Sequence, residues 1–240
     1  MTFPEINYQF WLSKWNESIG QGKVYTNKNI EKYIKFENNI NACTNEIIEL
    51  TKYEEITKKN VFRVIDLIYS WGGRSGRMFY SKTKNRISPR EELEKDSNVY
   101  ETYFEGIILA KKGNTESISK FNSIRGIGAS YASKHSYFWS INSDNPLIIV
   151  DSKIAGALGH ISIDSLEKKS KYRETVQLFI DKAEIEFNDK NPSKVERALF
   201  AFHNFYFLND NSGWKNRIEF EDFNQAKSLA ELLFDKPKSK

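Results

Sequence analysis

Apolar residues recur at helical spacing along most of this chain. Residues 60–71 (NVFRVIDLIYSW) carry apolar side chains at Val61, Val64, Ile65, Ile68 and Tyr69, a spacing that predicts a helix packed against a core. The same spacing predicts further helices over residues 99–110, 115–123, 130–141, 151–158, 172–187, 193–207 and 223–234, and broken helical pieces between residues 10 and 50. We therefore expect a mainly α fold.

Three short stretches depart from this pattern. Residues 146–150 (PLIIV) and 78–81 (MFYS) have the apolar character of strands. Residues 82–97 are polar and charged, which predicts a solvated connection between helices.

A turn with two glycines lies between two of the predicted helices, at residues 124–128 (IRGIG), which we call the hairpin. Glycine allows positive φ angles and a close approach of the backbone to a partner. The amide groups that begin the following helix favour an anion such as a phosphate. The hairpin therefore predicts a sequence-independent grip on a nucleic-acid backbone, with an ordinary helix–turn–helix of the core as the alternative.

The same region imitates a dinucleotide-binding fingerprint, because GIGASYA is followed later by LIIVD. That fold requires a strand before the glycines. The preceding segment SISKFNSIR is polar and has helical spacing, so the pattern disfavours a nucleotide-binding fold.

Asp151 follows the apolar run of residues 147–150 and opens a predicted helix. Helix capping alone explains most aspartates in such a position. Together with the upstream hairpin, however, a fixed carboxylate suits cleavage of a glycosidic bond in DNA, where positive charge builds on the sugar as the base departs. A carboxylate in a water-poor site stabilises that charge and orients the attacking water.

Residues 115–159 resemble the helix-hairpin-helix DNA glycosylase superfamily, in which a hairpin of the Leu-Pro-Gly-Val-Gly type precedes an apolar run ending in Val-Asp and a helix. Here the second half reads Ile149-Val150-Asp151-Ser152, and the loop WGGRSGR at residues 71–77 is similar to bacterial proteins of the 8-oxoguanine glycosylase fold. The resemblance implies a two-lobed helical fold, double-stranded DNA as the partner, a flipped base between the lobes and Asp151 as the catalytic carboxylate. It assigns residues 1–98 to one lobe, and residues 99–240 to the hairpin lobe with C-terminal helices that pack back to form the cleft.

One position separates two reactions within that superfamily. Members that also cleave the DNA backbone carry a lysine two residues after the second hairpin glycine, and its amine forms a Schiff base. Here that residue is Ser130, which favours a monofunctional glycosylase that leaves an abasic site. Lys134 lies one turn further, a shift of about 5 Å, and we expect it to contact a phosphate or solvent. A bifunctional lyase that uses Lys134 and a non-enzymatic DNA-binding protein are the alternatives.

Two kinds of substrate base are compatible with this resemblance. Fold analogy points to oxidised guanine and base-excision repair. A hypermodified phage base, such as glucosylated hydroxymethylcytosine, is the alternative and implies an anti-phage role.

Two sets of residues are candidates for DNA contacts. A flipped base needs aromatic and polar partners, although core packing is the commoner use of aromatic residues. The base-pocket candidates are Trp71, Phe79, Trp139, His203, Asn204 and Trp214. The DNA-backbone candidates are Arg74, Arg77, Arg125, Gly126, Ile127, Gly128 and Lys153.

Composition narrows this picture only slightly. The 240 residues carry a net charge of +4, which allows a local nucleic-acid patch without requiring one. The single cysteine, Cys43, excludes an internal disulfide, and the three histidines lack metal-ligand spacing, so we expect no catalytic metal. The resemblance implies at most a structural monovalent cation at the hairpin. Without a secretory pattern or a membrane-length apolar run, we expect a monomeric, cytoplasmic, nucleoid-associated protein.

Overall fold

The computed structural model describes residues 3–20, 40–72, 88–158 and 169–206. These ranges contain ten helices and no strand. The helices are α1 (Tyr8–Gly20), α2 (Ile40–Lys52), α3 (Lys58–Trp71), α4 (Pro89–Lys95), α5 (Ser97–Lys111), α6 (Ser117–Asn122), α7 (Ala129–Ser140), α8 (Ser152–Ala157), α9 (Lys169–Phe187) and α10 (Pro192–Tyr206). The mainly helical fold is confirmed, and most predicted helices agree within three residues. The predicted helix over residues 223–234 lies outside the described ranges.

Helix α3 illustrates how local signals set the boundaries. Thr57 is its N-cap, and its side chain accepts a hydrogen bond from the Asn60 amide. The predicted apolar positions between Val61 and Ile68 are all fully buried. The Gly72 amide donates to the Ile68 carbonyl at 2.8 Å and closes the last turn.

The predicted solvated connection is wrong where the structure describes it, because α4 occupies residues 89–95. Ser88 and Glu91 form a capping box, in which each side chain bonds the other residue's backbone amide. Pro89 and Leu93 are buried. The charged residues that suggested a solvated loop therefore lie on a helix that packs against the core.

The predicted strand at residues 146–150 is also wrong. Its apolar side chains are buried, but its backbone bonds side chains of two helices in place of a neighbouring strand. The Leu147 amide donates to Ser140 Oγ at 2.8 Å, the Val150 amide donates to Ser133 Oγ at 3.0 Å, and the Tyr172 hydroxyl donates to the Ile148 carbonyl at 2.7 Å. The second predicted strand, residues 78–81, lies outside the described ranges.

The core is built around α7, whose residues 131–140 are all buried. Helices α2, α3, α5 and α6 pack on α7, while α1, α8 and α9 pack on α10. The first and last described helices therefore lie against each other. The two-lobe division at residue 98 and the cleft between the lobes remain predictions. Within the described residues, no helix has both the length and the apolar composition required to cross a bilayer.

Candidate functional site

The hairpin joins α6 to α7, and its two glycines have different backbone conformations. Gly126 has a φ of 89°, which favours glycine. Gly128 has a φ of −77° and is the N-cap of α7, so the expectation of positive φ holds for Gly126 alone. A Cβ at Gly128 would have no neighbour within 4 Å, and no side chain caps α7. The start of α7 is therefore open to a partner.

The peptide unit between the hairpin glycines is held at both ends. The Gly126 carbonyl accepts a hydrogen bond from the Tyr69 hydroxyl at 2.9 Å. The Ile127 amide donates to the Ile124 carbonyl at 3.0 Å. Both isoleucines are buried, so the hairpin is fixed to the core on its inner side.

Asp151 is the N-cap of α8, which agrees with its predicted position at the start of a helix. Its Oδ1 accepts hydrogen bonds from the amides of Lys153 (3.0 Å) and Ile154 (3.3 Å). The buried segment before it is bound to α7 through Ser133 and Ser140. Helix α7 therefore determines where the carboxylate lies.

Lys134 does not face solvent, so that part of the sequence expectation is wrong, while its contact with a phosphate stays a prediction. Its side chain is 6% exposed, and Nζ lies 3.3 Å from Asp151 Oδ2 and 3.1 Å from Ser130 Oγ. A long helical side chain points towards the N-terminus of its helix, and the lysine is long enough to span one turn. The amine therefore lies beside Ser130, the position at which lyases of the resembled superfamily carry their lysine.

The charges around Asp151 act on its titration in opposite directions. Burial would raise the pKa of the Asp151 carboxyl, but the Lys134 and Lys153 ammonium groups and the two amide hydrogen bonds outweigh it and lower the pKa. Burial lowers the pKa of Lys153 to about 8, opposed by Asp151 and assisted by Lys134. The Lys153 Nζ also lies 4.4 Å from the centroid of the Phe200 ring. Asp151 is consequently ionised at neutral pH.

Glu196 on α10 is a second carboxyl near this pair, and the sequence interpretation missed it. It is 1% exposed, and α10 packs on α8. Burial raises the pKa of Glu196 to about 8, with Arg197 and Lys134 opposing and Asp151 adding to the shift. No local signal marked it, because Glu196 lies among the charged residues of SKVERA at the start of a predicted helix.

Tyr131 adjoins the pair and was also missed, and it packs on Tyr69, which the sequence placed on the core side of its helix. The rings of Tyr131 and Tyr69 are stacked, with centroids 4.5 Å apart and planes 6° apart. The Lys134 Nζ lies 5.5 Å from the centroid of the Tyr131 ring. A Cβ at Gly72 would lie 2.4 Å from the Tyr131 hydroxyl oxygen, so this position has no room for a side chain.

The base-pocket candidates have different fates. The prediction that Trp139 lines the base pocket is wrong, because this residue is 2% exposed and its Nε1 donates to the Tyr103 hydroxyl inside the core. Trp71 is half-buried, donates to Thr44 Oγ1 at 2.9 Å and packs on α7 through Phe138. His203 is half-buried against Gly156 of α8. Roles for Trp71 and His203 in binding a base remain predictions. Phe79, Trp214 and the Asn204 side chain lie outside the described residues.

Among the DNA-backbone candidates, Arg125 has an exposed side chain, 3.7 Å from Glu92. Lys153 is half-buried, and its Nζ lies over the Phe200 ring. Arg74 and Arg77 lie outside the described residues. Of the cationic candidates in the described ranges, the structure therefore leaves Arg125 beside the hairpin as the accessible one.

The chain matches a protein-family model. A protein-family model described as "Putative 8-oxoguanine DNA glycosylase OGG-like protein" matches residues 8–200, which include the hairpin, Lys134 and Asp151. Searches of curated proteins and of solved structures found no match to this chain.

Proposed function

This chain belongs to the OGG-like 8-oxoguanine DNA glycosylase family, and on that premise we propose that it flips a modified base out of double-stranded DNA and cleaves its N-glycosidic bond. The hairpin holds the DNA backbone, and Asp151 is the carboxylate that acts on the sugar.

The fixed charge of Asp151 supports this proposal most directly. Two backbone amides and one ammonium group hold the carboxylate, and its side chain is still 16% exposed. Positive charge that develops at C1′ would meet a negative charge that is already oriented and needs little reorganisation. Oδ1 serves the helix cap, so Oδ2 and its lysine partner are the groups available for chemistry.

The position of Lys134 supports a bifunctional glycosylase and lyase over the monofunctional enzyme that Ser130 favours. The Lys134 ammonium group gives one proton to the departing base, and the resulting amine attacks C1′, so that a C–N bond forms as the bond to the base breaks. The new C1′–nitrogen group then gives a second proton to O4′. Opening of the sugar ring at O4′ then gives an imine. Loss of a proton from C2′ lets the 3′ phosphate leave and breaks the strand.

A DNA-binding protein without catalytic activity is the remaining candidate. Such a protein needs the hairpin but has no use for an ionised carboxylate paired with a buried amine, since a buried ion pair contributes little net stability. The pair therefore favours an enzyme.

Mass spectrometry of released bases tests the proposal and identifies the substrate. The panel contains duplexes with 8-oxoguanine, phage DNA with glucosylated 5-hydroxymethylcytosine, and unmodified DNA. We expect a free base from the wild type and from Asp181→Asn, an exposed control on α9, and none from Asp151→Asn. Release of the glucosylated base supports an anti-phage role, and release of oxidised guanine supports repair. Failure of the wild type to release any base refutes a glycosylase for these substrates.

Borohydride trapping tests the lyase. We expect the wild type to form a covalent complex with abasic-site DNA, and Lys134→Gln to form none. Lys182→Gln, which removes a lysine paired with Glu186 on α9, is the matched control and should trap normally. If the wild type releases a base but traps no DNA, the enzyme is the monofunctional glycosylase that Ser130 favours, and the lyase role of Lys134 is wrong.

A further inference from the structure

We propose that Tyr69 is a positioning residue that links the hairpin to the Lys134 amine. Its hydroxyl group holds the hairpin in the conformation that binds DNA. Its ring, through Tyr131, fixes the position of the amine that takes part in the reaction. The proposal rests on the function proposed above, and it assigns two separable tasks to one side chain.

The hydroxyl acts on the hairpin backbone. Tyr69 is fully buried near the end of α3, and its hydroxyl donates to the Gly126 carbonyl. Burial, with neighbouring tyrosines, keeps the pKa of Tyr69 well above its usual value, so the hydroxyl retains its proton and donates. The other end of the same peptide unit bonds the Ile124 carbonyl. Without the Tyr69 hydrogen bond, this unit would be held at one end only.

The consequence reaches the open side of the hairpin. Gly126 is at positive φ, a conformation from which glycine departs easily. The next glycine, Gly128, begins α7 and faces open space. Holding the Gly126 carbonyl therefore fixes the direction of the amides that follow, which are the groups available to a phosphate.

The ring acts on the amine. Tyr131 is stacked on Tyr69, and the Lys134 ammonium group lies over the Tyr131 ring. The Tyr131 ring also lies directly against Gly72, one turn after Ile68, where a Cβ would come within 2.4 Å of its hydroxyl oxygen. The Tyr69 ring is thus one wall of a fixed slot for Tyr131, and Tyr131 borders the position of Nζ beside Asp151.

Two substitutions at the same position separate the tasks. Tyr69→Phe removes the hydroxyl and keeps the stack, whereas Tyr69→Leu removes both. Tyr8→Phe is the matched control, because Tyr8 is also buried and its hydroxyl donates to a backbone carbonyl, that of Pro4. Affinity is measured by fluorescence anisotropy with a duplex that carries a tetrahydrofuran abasic analogue, at one salt concentration. Chemistry is measured as the borohydride trapping rate on a natural abasic site at saturating enzyme.

We expect Tyr69→Phe to bind the duplex about threefold to tenfold more weakly, the effect of one lost hydrogen bond, and to trap at the wild-type rate once saturated. Tyr69→Leu should bind equally weakly and also trap at least about tenfold more slowly, because the amine is misplaced. Tyr8→Phe should change neither quantity. Assays below the unfolding midpoint of each variant separate these effects from loss of folded protein.

Wild-type affinity in Tyr69→Phe would overturn the role of the hydroxyl. Wild-type trapping by saturated Tyr69→Leu would overturn the role of the ring. A wild type that neither releases a base nor traps DNA counts against the proposed function itself, and in that case the affinity of Tyr69→Phe still decides the part of the proposal that concerns the hairpin.

Discussion

Asp66 on α3 and Asp151 at the start of α8 are each paired with a cation inside the protein, but the two cations differ. Asp66 is fully buried and bonds the guanidinium group of Arg90 on α4. Asp151 pairs with the amine of Lys134 on α7, at 3.3 Å.

In the Arg90 pair the carboxylate is inaccessible, because the Asp66 side chain is fully buried while that of Arg90 is 18% exposed. The same guanidinium group bonds Glu94 at 2.9 Å and lies 5.1 Å from the centroid of the Phe62 ring. A guanidinium group does not lose its proton in proteins. This pair therefore connects α3 to α4 and contains no group that can act as a nucleophile.

The Lys134 pair has the features that the proposed reaction requires. An amine becomes a nucleophile when it loses a proton, and the Asp151 side chain retains 16% of its exposure. A second lysine and a second carboxyl, Lys153 and Glu196, adjust the charge around it. Burial alone thus does not distinguish a structural ion pair from a reactive one. The identity of the cation and the access to the carboxylate do.

Exchanging the two types of cation should have the largest effect on the reaction. In Lys134→Arg the positive charge stays beside Asp151, but no amine can form an imine, so borohydride trapping should disappear and base release should fall at least about 100-fold. Arg90→Lys should trap normally and lose about 2 kcal/mol of unfolding free energy, from weakened charged hydrogen bonds. Denaturant unfolding and trapping gels measure the two outcomes. If Lys134→Arg still forms the trapped complex, the nucleophile is a residue other than Lys134.

Asp66→Asn should give a large effect on stability and none on chemistry. It leaves Arg90 without its buried counterion, and we expect a loss of about 3–5 kcal/mol in the free energy of unfolding. Folded Asp66→Asn at low temperature should release base at the wild-type rate. A reduced rate in fully folded protein would contradict a purely structural role for the Arg90 pair.

Glu196 predicts a smaller effect that depends on pH. Below pH 4.5, its usual pKa, the carboxyl is protonated in both states and adds no pH dependence. Between pH 4.5 and 8 the unfolded chain releases a proton that the folded chain retains, so stability falls as the pH rises. Glu196→Gln should remove this decline, which thermal unfolding of both proteins across that range measures. Parallel curves for the two proteins would contradict the raised pKa.

Ser130→Ala should produce the smallest effect. It removes one hydrogen bond to the Lys134 Nζ and leaves Asp151 and Tyr131 in place. We expect the trapping rate to fall about threefold. Ser119→Ala on α6, away from the amine, is a suitable control. A complete loss of trapping would instead assign Ser130 a direct part in the reaction.

Periodicity in the sequence was sufficient to predict the features that depend on nearby residues. The helices, the hairpin and the cap at Asp151 follow from spacing and from residue types within a few positions of one another. The short helix α4 was predictable in the same way, since Ser88-Pro89-Arg90-Glu91 is a capping-box sequence. Its charged residues, however, are equally typical of a solvated connection.

The remaining features depend on residues that are distant in the sequence. An apolar run such as residues 147–150 has the same pattern whether its backbone bonds a strand or the serines of α7. The direction of the Lys134 side chain depends on where Asp151 lies, 17 positions later. Tyr69 is 57 positions from the hairpin carbonyl that it bonds, and Glu196 reaches the site only because α10 packs on α8. Local patterns carry no information on these contacts.

A single-turnover comparison of Asp151→Asn with Asp66→Asn tests the central claim most directly, with both proteins folded at the assay temperature and base release measured on the substrate that the panel identifies. Asparagine is also a good N-cap, so α8 should persist and DNA affinity should be unchanged in Asp151→Asn. The account predicts that base release falls at least about 100-fold in Asp151→Asn and stays at the wild-type rate in Asp66→Asn. Wild-type base release by Asp151→Asn would contradict it.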